Sequence, residues 1–251
     1  MRGRGALPSV KAMDETKNAV ITGASRGLGL ALARGLAADG WSLVIDARDR
    51  DALSAAAASL PAGVTALPGD IADPAHREAL CRAAEDLGGP DLLINNAGTL
   101  GASPLPAIAD YPVGELRELF EVNVVAPIAL TQLLLPALRR RGGAVLNITS
   151  DAAVEPYEGW GGYGAAKAAL EQASNILAAE ESVVRVWWVD PGDLRTRMHQ
   201  QAFPGEDISD RPLPEAVVPA FARLIGERMP SGRYRASELT PPAPAVTGAR
   251  S

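Results

Sequence analysis

Tyr163 and Lys167 stand four residues apart in Tyr163-Gly164-Ala165-Ala166-Lys167, and Lys167 is the single lysine after Lys17 in a chain with 21 Arg and 3 Lys. On a helix that spacing stacks the two side chains on one face, about one turn apart, so that an ammonium sits beside a phenol. A free phenol titrates near 10, and a neighbouring cation favours its ionised form, moving it toward the range of a working general acid or base. Arginine would bring charge, but not a compact three-donor head on a thin stem. The spacing therefore predicts a proton donor at Tyr163 tuned by Lys167. A second stretch, Thr22-Gly23-Ala24-Ser25-Arg26-Gly27-Leu28-Gly29, sets three glycines between an apolar run and an amphipathic one. Glycine lets the backbone turn tightly and approach a pyrophosphate, whose charge is met by the free N–H groups at a helix start.

Such groups need a frame to hold them. Short apolar runs at 19–22, 42–45, 64–67, 92–95, 144–148 and 184–189 alternate with helical periodicity over 27–39, 49–60, 74–87, 112–140, 161–181 and 213–228, and a last strand is expected at 232–236. Continuous apolar strands separated by helices imply a parallel sheet covered on both faces, wound doubly by right-handed crossovers. Ligands bind such sheets beyond the carboxyl ends of the strands. The informative residues are then those that follow each run: Gly23 to Gly29, Asp46 to Arg48, Gly69-Asp70, Asn95 to Gly98, Thr149-Ser150 and Asp190 to Thr196. The chain is read as one α/β domain over 18–238, between a flexible extension at 1–17 and a disordered proline-rich tail at 239–251.

With these motifs in this order, the chain resembles the classical short-chain dehydrogenases/reductases over roughly Asn18 to Ala236. The resemblance rests on the loop Thr22 to Gly29, on Asp70, on Asn95-Asn96-Ala97-Gly98, on Asn123, on Ser150 with Tyr163 and Lys167, and on Pro191-Gly192 with Thr196. It implies a Rossmann-type, doubly wound parallel sheet of about seven strands in the order 3-2-1-4-5-6-7, with helices on both faces. It also implies that Gly23, Ser25, Arg26, Gly27, Leu28, Gly29, Arg48, Asp70, Ile71, Asn96, Ala97, Gly98, Tyr163, Lys167, Pro191, Gly192 and Thr196 bind a nicotinamide cofactor. Asn123, Ser150, Tyr163 and Lys167 become the catalytic set. In that reading Ser150 hydrogen-bonds a substrate carbonyl as it turns into an alkoxide, and Tyr163 protonates it. Lys167 lowers the phenol's pKa and contacts the nicotinamide ribose, while Asn123 holds a water that reprotonates Lys167.

Cofactor choice turns on Asp46-Ala47-Arg48. A carboxylate there accepts hydrogen bonds from a ribose 2'-OH and repels a 2'-phosphate, whereas arginine binds the phosphate. In the family register Ala47 stands where NAD-preferring members carry aspartate, and Arg26 and Arg48 match arginines of NADP-preferring members, so NADP(H) is favoured over NAD(H). The implied function is a carbonyl reductase, interconverting a ketone or aldehyde and an alcohol with the cofactor as hydride source. A substrate pocket is expected between the loop Asp151 to Gly162 and the segment Asp193 to Leu213, with Tyr157, Trp160, Met198 and Phe203 supplying apolar area and Glu155, Glu158, Arg195 and Arg197 charge.

Composition removes other classes. A net charge of -6 leaves no basic stripe for nucleic acid. Arg139-Arg140-Arg141 before Gly142 is expected to close a helix. His76 and His199 stand far apart with no cysteine partner, so no metal site is expected, and both are assigned surface or core roles. Cys81, alone, is expected in the core, and a cytoplasmic location follows. The sequence offers no signal peptide and no uncharged run long enough for a bilayer. The 112–140 helix and the one carrying Tyr163 resemble those that pair between subunits in the family, implying a homodimer or homotetramer. Three rivals remain: an NADP(H) sensor without turnover, an NAD-dependent alcohol dehydrogenase, and an epimerase or dehydratase.

Overall fold

The computed structural model describes residues 16–239. The apolar runs become β1 (Asn18–Ile21), β2 (Ser42–Ala47), β3 (Val64–Pro68), β4 (Leu92–Asn95), β5 (Ala144–Ile148), β6 (Arg185–Asp190) and β7 (Gly232–Arg235). They form a single sheet in the order β3-β2-β1-β4-β5-β6-β7, with every neighbouring pair parallel. Between them run α1 (Gly27–Ala38), α2 (Arg50–Ala58), α3 (Pro74–Asp86), α4 (Val113–Phe120), α5 (Ala126–Arg141), α6 (Gly161–Glu180), α7 (Arg197–Ala202), α8 (Val218–Gly226) and α9 (Ala236–Leu239). Alternate strand residues feed two cores. Ile21, Ile45, Ile94, Leu146 and Trp187 face Leu32, Leu36, Phe221 and Leu224 of α1 and α8. Val20, Val44, Leu93, Val145 and Val186 face Leu80 of α3 and Leu130, Leu134 and Leu138 of α5. Both faces being covered explains strands without polar alternation, each fully buried aliphatic contributing about 1.5–3 kcal/mol.

Local signals fix the crossovers. Asp49 caps α2 by accepting from Ala52 N, and Asp73 caps α3 by accepting from Ala75 N, with Pro74 at its first position. α5 ends at Gly142 in the left-handed region, φ +59°. Its three terminal arginines pair with Glu181, Glu85 and Asp91.

The structure corrects several expectations. The 112–140 helix is not uniform: α4 and α5 join through a π turn at Glu121–Val125 that contains Asn123. Pro127 has no N–H to give to the Asn123 carbonyl, a local cause for the wider turn. The whole rod, Val113–Arg141, is long and apolar enough to cross a membrane by length and composition, which the sequence reading overlooked. In this fold Leu119, Leu130, Leu134 and Leu138 of the rod are buried in the protein's cores. Lys17 and Leu239 belong to the fold rather than to the ends, since Ser42 N donates to Lys17 O at 2.9 Å and Leu239 is buried; residues 1–15 and 240–251 lie outside the described residues. Cys81 is only half-buried, and α7 lies within a segment expected only to line the substrate pocket.

Candidate active site

A cleft of about 1060 Å³ opens beyond the carboxyl ends of the strands. Its outer half is built on the loop after β1. Gly23 takes φ +69°, and a Cβ there would lie 2.9 Å from Ala97 Cα. The loop after β4 holds it from the side: Thr22 Oγ1 accepts from Asn96 N and Ala97 N, both at 3.0 Å, and Asn96 Nδ2 donates to Thr22 O at 2.8 Å. Gly27 is left open toward the cleft, with Thr196 Cγ2 the nearest atom to a built Cβ at 3.6 Å. These features fit a dinucleotide whose pyrophosphate lies against backbone N–H groups at the start of α1.

Asp46, the ambiguous carboxylate, is spoken for. Its Oδ1 accepts from Gly23 N at 2.7 Å and its Oδ2 lies 3.0 Å from His76 Nε2. Buried to 1% exposure, it braces the glycine loop from behind and leaves Ala47 and Arg48 on the cleft wall. Arg26 Nη2 rests on Asp49 Oδ2 at 3.0 Å, with both side chains about half exposed. A pair that open is weak, so a phosphate can displace it.

At the inner end, Tyr163 and Lys167 are both buried on α6. Lys167 Nζ donates to Ile148 O at 2.8 Å and sits 5.5 Å from the centre of the Tyr163 ring. Burial pulls the ammonium down to about 8, against a raising influence from Glu171. The phenol moves the other way: burial first, then the Asp190 and Asp151 carboxylates, push Tyr163 well above its ordinary value. This runs against the expected tuning, because the low-dielectric site penalises phenolate and ammonium alike and Asp190 and Asp151 add negative charge beside the phenol. Ser150 Oγ donates to Asp151 Oδ1 at 2.9 Å, and Tyr157 OH donates to Asp151 Oδ2 at 2.9 Å.

Of the residues predicted for the site, all line the cleft except Gly29 and Asn123. Gly29 packs behind the loop, where a Cβ would collide with the Gly23 carbonyl oxygen. Asn123 spends its amide on Thr99, accepting from Thr99 N at 2.9 Å and donating to Thr99 O at 2.8 Å. Tyr157, Glu158, Trp160, Arg197, Met198 and Phe203 line the cleft as expected, whereas Glu155 and Arg195 do not. Asp151 and His199 fall within the two segments expected to line the pocket and do line it, although the sequence reading gives Asp151 no role there and assigns His199 a surface or core role. His199 stacks on Phe203 at 4.9 Å between ring centres, Phe203 lies 6.0 Å from Trp160, and Trp160 meets Tyr163 edge-on at 5.7 Å. Its Nε2 is buried without a hydrogen-bond partner among the described residues.

The family model for short chain dehydrogenases matches residues 17–207. The chain belongs to the short-chain dehydrogenase family. It is 37% identical over 199 residues to sepiapterin reductase from Bos taurus, covering 73% of this chain and 74% of that one. It is 35% identical over 181 residues to serine 3-dehydrogenase from Agrobacterium fabrum, covering 70% and 72%. A short chain dehydrogenase from Shigella flexneri solved in complex with NADP superposes with TM-score 0.81 at 25% identity, over 88% of this chain and 97% of that one. This short-chain dehydrogenase is thus an oxidoreductase of an NAD(P)-using family, acting on a small molecule.

Proposed function

We propose that this short-chain dehydrogenase is an NADP(H)-dependent carbonyl reductase that interconverts a ketone or aldehyde and an alcohol. The observation that carries the reading is that Tyr163, Lys167 and Ser150 line one cleft with the glycine loop and Arg48. A bound reduced nicotinamide supplies the hydride. Tyr163, protonated at neutral pH like any phenol and with its pKa raised further by burial, delivers the proton to the carbonyl oxygen. Ser150 turns its hydroxyl from Asp151 to the developing alkoxide, and Lys167 binds ribose and resupplies the proton. Arg26 and Arg48 take the 2'-phosphate, a choice supported by Asp46 being tied to Gly23 and His76 and by the NADP found in the Shigella flexneri neighbour. The Trp160, Phe203 and His199 wall suits an aromatic or otherwise apolar carbonyl compound. Exposed Val113, Val125 and Leu133 on the rod and Ile176 on α6 support assembly into a dimer or tetramer through those helices; light scattering giving the subunit mass at every concentration would end that part.

The test follows NADPH absorbance across ketones and aldehydes with the wild type and Tyr163→Phe. Turnover by the wild type, reduced about a thousandfold by the substitution with NADPH affinity kept, is expected. Tight NADPH binding with no turnover of any carbonyl would make the protein a cofactor sensor instead. A preference for NADH would make it an NAD-dependent alcohol dehydrogenase.

A further inference from the structure

We propose that Glu171 and Arg233 form a positioning pair that sets the charge of Lys167 and the place of Ser150, a reading that rests on the roles just given to those two residues. Glu171 lies one helical turn beyond Lys167 on α6, four residues on, and is buried. Its Oε1 accepts from Thr149 Oγ1 at 2.7 Å, and Arg233 Nε reaches Oε1 at 3.0 Å and Oε2 at 3.1 Å. Arg233 comes from β7, at the far edge of the sheet from β3. It also donates through Nη2 to Ser150 O at 3.3 Å and lies 4.0 Å from Asp190 Oδ2. One carboxylate and one guanidinium thus tie the helix carrying Tyr163 and Lys167 to the ends of β5, β6 and β7.

That arrangement has two consequences. The first is mechanical. Ser150 leaves β5 with its carbonyl and the preceding threonine hydroxyl both held by the pair, so its hydroxyl starts from a fixed backbone. The second is electrostatic. Lys167 has Tyr163 and Glu171 on its own helix; Asp190 at the end of β6 and Asp151 in the loop after β5 act on Tyr163, and Arg233 on β7 holds Glu171 and lies 4.0 Å from Asp190 Oδ2. Among these Glu171 is the group that supports the ammonium against burial, and Arg233, paired to the Glu171 carboxylate, is placed to offset it. The two members of the pair should therefore push Lys167 in opposite directions, which a merely structural contact would not do.

The chain holds only three lysines, so Lys167 can be followed directly by NMR with lysine labelled at the ε-carbon, assigned by its loss in Lys167→Met. Glu171→Gln should move its titration to lower pH by about half a unit, and Arg233→Met should move it to higher pH by a similar amount. Arg233→Lys should restore most of the wild-type value. In turnover, Arg233→Met should lose roughly tenfold in kcat with little change in KM for NADPH, because Ser150 has lost its anchor. Shifts of the same sign in Glu171→Gln and Arg233→Met, or no shift in either, overturn the proposal. If Arg233→Met does not fold, Glu171→Gln and Arg233→Lys carry the test, and an unmoved titration in Glu171→Gln is sufficient to overturn it. The titration needs no substrate: a wild type with no carbonyl turnover sinks the proposed function, whereas normal turnover with an unmoved titration sinks only the pair.

Discussion

Replacing Lys167 by methionine keeps the length of the side chain and removes the charge, which isolates what burial of that charge costs. Its amine falls from 10.5 when free to about 8 when folded. At roughly 1.4 kcal/mol per pH unit, that is about 3 kcal/mol held against the folded state whenever the group is protonated. The sign follows from proton counting. Between about 8 and 10.5 the unfolded chain binds the proton and the folded chain does not, so the Lys167 contribution to stability rises with pH across that window and is flat on either side. Methionine also forfeits the bond to Ile148 O, a loss of about 1 kcal/mol at any pH. Lys167→Met should therefore be more stable than wild type by about 2 kcal/mol at neutral pH and less stable by about 1 kcal/mol above the window, crossing near pH 10. Urea unfolding of the cofactor-free protein at several pH values between 6 and 10.5 measures the difference directly. Tyr163, raised above its ordinary value, stays protonated in the folded protein after it ionises in the unfolded chain. It therefore destabilises both proteins alike above about pH 10 and cancels in the comparison. A stability gap that stays constant from neutral to alkaline pH would refute the claim that this amine is stripped of solvent.

Gly29→Ala should weaken NADPH binding by at least about tenfold in calorimetry and cost roughly 1–3 kcal/mol of stability, because the new methyl collides with the Gly23 carbonyl and the Asn96 amide; unchanged binding would show that the loop can shift. Arg48→Ala should raise KM for NADPH about tenfold or more and leave that for NADH nearly unchanged, so an equal effect on both would take Arg48 away from the 2'-phosphate. Asp151→Ala removes a carboxylate that raises Tyr163, so the alkaline limb of kcat/KM for reduction should move to lower pH; a limb that stays in place or moves upward would exclude Asp151 as an influence on the phenol.

The sheet was legible because its evidence is redundant. Each buried strand is a continuous apolar run, and the first turn into a helix carries its own glycines, so Thr22 to Gly29 could be placed without any long-range information. Contacts between distant parts were not legible. Asp46 lies in the right stretch for a ribose ligand, yet its carboxylate turns inward because His76, thirty residues later, meets it there. The motif alone casts Asn123 as a water carrier, and that its amide pins the Thr99 backbone across a π turn came only with the structure. Glu171 did leave a sequence signal, four residues beyond Lys167 on the same helical face. Its meaning came only with Arg233, sixty-two residues further on. Electrostatic signs were the least legible of all, since spacing reveals which groups are neighbours and says nothing of how dry they are.

That dryness changes the role of the lysine. Burial draws the amine toward its neutral form, to about 8, so it is a less secure fixed cation for the phenol than a solvated lysine would be. Beside it the phenol holds its own proton more firmly than in water. Each group is thus displaced toward its neutral form, the phenol as a retained acid and the amine as one that gives up its proton more readily than a solvated lysine. Such a couple is suited to handing a proton along: Tyr163 gives one up only as negative charge develops on a substrate oxygen, and Lys167 replaces it from a state already poised for exchange. The buried Glu171 and Arg233 then matter because they decide how near to the working pH that exchange lies.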